Sequence, residues 1–326
     1  GRIMAPYVGV SLYTWTSIIG VVLAGISIGA YLGGLIADRY PKSSTLGWLL
    51  LLSGLGAFSI SPLTNLIGGA QFQTSLMIRI LLITAIIFFV PSCILGMISP
   101  VVVKLTLNNL AKTGNVVGKI YAFSTLGSIL GTFATGFYLI SWMGTRSILL
   151  TMGIILILSG FIFGGFFRNK RAFALFFLFL FLSALLPFIG IHVYARVLTE
   201  GFSFPRSPVE SIQTFYRYAF KPPIEEETYF FKESDYYTVK LKKSIKGNNG
   251  NPLESLILDH LVHSYTELKD PFYLEYEYIR IYEEMVRWQG ERKKSLKVLF
   301  MGGGGYTFPR FIRARYPEAE IDVAEI

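Results

Sequence analysis

Cysteine is almost missing from this chain. Cys93 is the only one in 326 residues and lies inside an apolar segment, which excludes internal disulfides and cysteine-rich metal sites. Histidine is scarce too. His260 and His263 stand three apart, but they follow an expected strand and have no third histidine nearby, so no metal site is expected. Acids are missing from one end of the chain: residues 1–195 hold a single acid, Asp38, against eleven Lys and Arg. The other twenty acids and nineteen bases fall in residues 196–326, so the net charge of +9 belongs to the first part. There the bases flank apolar segments, which points to membrane topology and away from nucleic acid as a partner.

What is plentiful is apolar length. Six segments, near 14–37, 45–66, 76–103, 116–142, 147–167 and 172–195, are long enough to cross a bilayer, which takes about 20 residues. An integral membrane protein surrounded by the lipid bilayer is therefore expected, placed in the bacterial cytoplasmic membrane. The basic joints at Asp38-Arg39-Tyr40-Pro41-Lys42, at Lys104, Lys112 and Lys119, and at Arg168-Asn169-Lys170-Arg171 are expected to be cytoplasmic. Six crossings would then put everything after residue 195 outside the cytoplasm. Gly25, Gly29 and Gly33 share one helix face and are expected to let another helix approach closely, and Gly127, Gly131 and Thr135 repeat the pattern. Asp38 ends the first span in Gly33-Gly34-Leu35-Ile36-Ala37-Asp38-Arg39, which resembles the loop signature between the second and third helices of major facilitator transporters. We read it as an interfacial acid, paired with a base or capping a helix end, over the alternative of a gating or proton-linked acid.

Residues 196–232 carry Pro205, Pro208, Pro222 and Pro223 and read as a linker. Residues 233–270 read as a β-hairpin module: a strand from Tyr236 to Lys243, a turn at Gly247-Asn248-Asn249-Gly250, and a return strand from Leu253 to Leu258. A helix follows over 272–290, with Leu274, Tyr278, Ile281, Met285 and Trp288 near helical spacing. From 271 to 326 an α/β domain begins. Its strand Val298-Leu299-Phe300-Met301 runs into Gly302-Gly303-Gly304-Gly305, a helical stretch follows, and a second strand ends at Glu325. A nucleotide or S-adenosyl pocket opens in this way in a doubly wound fold, because glycines let the backbone approach the ligand and the acid holds ribose hydroxyls. Gly1 and an end at the tip of a strand lead us to expect a piece of a longer protein. The expected fold is thus an α-helical polytopic membrane region, a small β-hairpin module, and the start of a Rossmann-like domain of the class I methyltransferase type.

The residue strings of the second part resemble those of spermidine synthases and related aminopropyltransferases. Glu233-Ser234-Asp235-Tyr236-Tyr237-Thr238-Val239 is similar to the family's Glu-Ser-x-Tyr-Gln-x-Ile strand, and Leu256 through His263 to its Leu-x-Leu-Asp-Gly-x-x-Gln segment. Val298 through Arg310 is similar to its Gly-Gly-Gly-Asp-Gly-Gly loop. The whole chain resembles membrane proteins that fuse a major-facilitator-like region to a spermidine synthase-like domain, through Gly1-Arg2-Ile3-Met4-Ala5-Pro6-Tyr7, residues 33–39, and Tyr121 through Ser128.

The resemblance implies that Gly302, Gly303, Gly304 and Gly305 lie along the co-substrate and that Glu325 contacts its ribose. It implies decarboxylated S-adenosylmethionine as aminopropyl donor, methylthioadenosine as product, a polyamine such as putrescine as acceptor, and no permanently bound cofactor or metal. Tyr237 and His263 fall on the family's two glutamines and would touch substrate. Asp259 and Glu277, with Glu275, are the candidate acids for guiding cationic reactants, the main acid being expected beyond Ile326. The family's loop acid falls on Gly305. Two readings follow: a membrane-anchored aminopropyltransferase, or a non-catalytic membrane subunit that docks through a synthase-like domain, as a homo-oligomer or with a membrane-complex partner.

Overall fold

The computed structural model describes residues 1–68, 73–107, 113–165, 227–234, 236–292 and 295–325. The chain divides into two units, Gly1–Pro223 and Ile224–Ile326.

The described part of the first unit is helical: α1 (Ala5–Val8), α2 (Leu12–Arg39), α3 (Ser43–Ile67), α4 (Leu76–Thr106), α5 (Thr113–Ala134) and α6 (Ile140–Phe163). Among the described residues, four helical stretches are long and apolar enough to cross a membrane: α2, α3, α4 and the continuous stretch Thr113–Phe163. The fourth and fifth expected crossings meet at Gly144, whose φ of 75° lies outside helical space and kinks the stretch at the expected joint, and the π-helical turn at Thr135–Leu139 lies inside the fourth. The sixth expected crossing, 172–195, and most of the expected linker lie outside the described residues. Pro91 and Pro100 leave α4 a single helix.

Small residues set how these helices meet. Gly25, Gly29 and Gly33 of α2 face Ser92, Cys93 and Met97 of α4, so the two helices run in the same direction. A methyl group on Gly29 would lie 2.0 Å from the Cys93 carbonyl oxygen. Across the pair, a methyl group on Gly96 of α4 would lie 2.5 Å from the Ile26 carbonyl oxygen. Gly54 against Gly153, and Gly160 against Gly47, bring α3 and α6 together in opposite directions. The expected second stripe behaves differently: Gly127 and Gly131 have nothing within 4 Å among the described residues. Asp38 pairs with Lys104 at 2.7 Å, joining the ends of α2 and α4 as a pair of opposite charges exposed to solvent.

The second unit opens with a four-stranded antiparallel sheet in the order β1 (Thr228–Glu233), β2 (Thr238–Lys246), β3 (Pro252–Leu258) and β4 (Leu261–Thr266). The expected hairpin is its centre. β1 begins inside the stretch read as linker, and β4 follows a two-residue turn at Asp259-His260. The turn between β2 and β3 is fixed from a distance: Asn249 and Asn251 donate to the buried Glu267 at 2.7 and 2.8 Å.

Helix α7 (Glu277–Gly290) follows, and then β5 (Lys297–Met301), α8 (Thr307–Arg315) and β6 (Glu320–Ala324). Glu277 in the first turn of α7 and Arg287 in its last complement the helix dipole. β5 and β6 pair in parallel, from Lys297 opposite Glu320 to Met301 opposite Ala324. Leu274, Ile279, Leu296, Phe311, Ile312 and Ala319 form the buried core beneath them. The inward residues of β5, Val298 and Phe300, pack on that core, and Leu299 and Met301 are exposed. This alternation is the ordinary consequence of the strand's two-residue period.

Candidate functional site

The loop after β5 is built by glycines that no other residue could replace without strain. Gly302 donates its amide to the Ala324 carbonyl at 2.8 Å, which extends the parallel ladder by one bond. It then turns the chain with φ of 92°, and Gly304 and Gly305 follow at 50° and 73°. These are left-handed angles, which glycine adopts without the Cβ clash. Gly303 is needed for a different reason: a methyl group there would lie 2.6 Å from the Tyr306 ring and 2.8 Å from the Glu325 carboxylate.

The expected acid does reach the loop. Glu325, just past β6, accepts a hydrogen bond from the Gly303 amide at 2.5 Å across 22 residues of sequence. Parallel pairing puts the ends of β5 and β6 side by side, which is why residues so far apart meet. Gly303 is in the right-handed region and Gly304 in the left-handed one, an alternation that turns successive amides toward one point. Gly304 and Gly305 lie exposed at the start of α8.

Gly305 is closed to a side chain. A Cβ there would lie 2.0 Å from Ser264 Oγ, and its φ is left-handed as well. The acid of the resembled loop therefore has no place at this position. Ser264 belongs to β4, so the four-stranded sheet forms one wall of the loop. Thr307 ties the two together: its hydroxyl is 2.5 Å from that of Thr266 and donates to the Tyr265 carbonyl at 3.1 Å.

The other sequence-derived residues divide. His263 is the extra residue of a β-bulge, since Leu256 pairs with Ser264 and Ile257 with Val262. A bulge re-aims side chains, and this one sits next to the residue that faces Gly305. Tyr237 is half exposed at the start of β2, and among the described residues no hydrogen bond or ring contact joins its side chain to the loop. Asp259 is buried and committed to structure. Its Oδ1 accepts from the Thr238 amide at 2.9 Å, and its own amide donates to the Thr238 carbonyl at 2.8 Å. Glu275 is likewise engaged, accepting from the Asn248 amide and the Tyr273 hydroxyl, and its charge adds to burial in pushing the Tyr273 hydroxyl up. Glu277 is exposed on α7. No group of three metal-binding side chains occurs among the described residues.

Searches with family models, against curated proteins and against solved structures return no match for this chain. The site's reading therefore rests on its own geometry. Two of its residues escaped the sequence reading. Tyr306 holds φ of 60° and lays its ring on Gly303. The sequence carried no signal for it, since a bulky side chain is disfavoured in the left-handed region. Ser264 had no signal, because its approach to Gly305 depends on the bulge and on contact between two sheets.

Proposed function

We propose that this chain is a membrane-anchored spermidine synthase-like protein whose second unit begins a Rossmann-like domain. In this reading the Gly302–Gly305 loop holds an S-adenosyl-type nucleoside and Glu325 holds its ribose. The reaction is group transfer to an amine, aminopropyl transfer from decarboxylated S-adenosylmethionine to a polyamine being the form the resemblance implies. The amine nitrogen attacks the carbon beside the sulfonium, the carbon–sulfur bond breaks with its electrons going to sulfur, methylthioadenosine leaves, and the new amine sheds a proton. Such a reaction depends chiefly on positioning two cationic reactants. The observation that carries the reading is the meeting of Glu325 with Gly303 at the ends of two parallel strands. Tyr306 adds an aromatic face beside the loop, of the kind on which a base can stack.

The test is turnover by the full chain. With decarboxylated S-adenosylmethionine and putrescine we expect methylthioadenosine and aminopropylated amine in equal amounts. Binding of methylthioadenosine without turnover would favour the second reading, a docking subunit. The closure of Gly305 by Ser264 is what favours that alternative, because it removes the carboxylate that would face the donor's ammonium.

A further inference from the structure

Among the described residues, Arg79 and Arg146 of the helical unit have no acid beside them. Arg146, two residues past the Gly144 kink, donates to Ser61 Oγ and to Asn65 Oδ1, both at 2.8 Å and both uncharged. Asn65 Oδ1 is already used by the Tyr7 hydroxyl at 2.8 Å, and burial pushes that hydroxyl's pKa up, so it remains a donor. Arg79, in the first turn of α4, has a buried Nε with no hydrogen-bond partner among the described residues. The helix directions place both guanidinium groups at the same end. Ile60 of α3 clusters with Ile83 and Ile87 of α4 while Leu49 clusters with Val101, so the end of α3 meets the start of α4, and α6 runs against α3. The only acid among the described residues of this unit, Asp38, is held by Lys104 at the opposite end.

A partly buried guanidinium is stable only with a counter-charge or full hydrogen bonding. Here neutral oxygens supply part of it for Arg146, and among the described residues nothing supplies it for Arg79 Nε. The depth of this end is marked by exposed Trp15, Tyr138 and Trp142, residues that favour the boundary between lipid tails and headgroups. The anions at that depth in a bilayer are lipid phosphates, whose oxygens match the guanidinium fork. We infer that Arg79 and Arg146 form a binding site for the phosphate of an anionic phospholipid.

The test is native mass spectrometry and thermal unfolding of the full detergent-solubilised chain with phosphatidylglycerol, phosphatidylcholine or inorganic phosphate. We expect phosphatidylglycerol to bind and to raise the midpoint, with phosphatidylcholine and inorganic phosphate giving little shift. Arg146→Gln should lower phosphatidylglycerol binding about tenfold, the worth of one charge-assisted hydrogen bond. Arg79→Gln removes no hydrogen bond seen here, so it keeps the fold and should weaken binding as well. Equal shifts with phosphatidylcholine, equal shifts with inorganic phosphate, or full retention of binding in Arg79→Gln would each overturn the inference.

Discussion

At the residue scale, Gly305 decides how far the loop follows the synthase pattern. A side chain there meets Ser264 Oγ and takes a left-handed backbone, so Gly305→Ala should destabilise the chain by about 1–3 kcal/mol. Thermal unfolding of the variant measures this. Adding Ser264→Gly should recover the steric part and leave the backbone part, a non-additivity that a double-mutant cycle reads directly. A second residue-scale expectation concerns pH. The Tyr229 hydroxyl donates to Glu254 at 2.7 Å, and burial together with that carboxylate pushes its pKa up to about 12. A raised pKa favours the neutral form in the folded chain. The contribution is therefore whole below the ordinary tyrosine value of about 10 and is lost as pH rises through about 12. Ultraviolet titration should find one fewer late-ionising tyrosine in Tyr229→Phe, whose stability should fall less steeply across that window.

At the scale of elements, the two glycine stripes of the membrane region make opposite predictions from the same spacing. Gly29→Ala forces a methyl group onto the α4 backbone and should lower the unfolding temperature in detergent. Gly127→Ala meets nothing among the described residues and should leave it unchanged or raise it, since alanine favours the helix by about 1 kcal/mol. Spacing alone made the stripes equivalent; which one packs depends on a partner helix that spacing does not name. Helix α7 teaches the same lesson. Tyr278, Ile281, Met285 and Trp288 revealed it by their period, yet they are exposed and Ile279 is the residue it buries. The hairpin over 238–258 was legible because Gly247 to Gly250 punctuates two alternating runs. β1 and β4 were not, since bulges at both break the alternation that would have exposed them.

At the scale of the whole molecule, the sequence made plain a charge-poor apolar part and a charge-rich part, and the structure separates a helical unit from a sheet-bearing one. The candidate site was half legible. Gly302 to Gly304 and Glu325 could be found by their order and spacing, because parallel strands joined by a helix bring their ends together in any such unit. Ser264 and the commitment of Asp259 to the Thr238 amide could not, because they arise where one sheet meets the next segment of chain. The central claim is that the loop and Glu325 form the nucleoside half of a pocket. Isothermal titration of the full chain with methylthioadenosine, which carries the nucleoside without a charged tail, tests it most directly. We predict saturable one-site binding that weakens about tenfold in Glu325→Gln, where a charge-assisted hydrogen bond is lost. Absence of heat and of binding in the unaltered chain, or binding indifferent to Glu325→Gln, would contradict it.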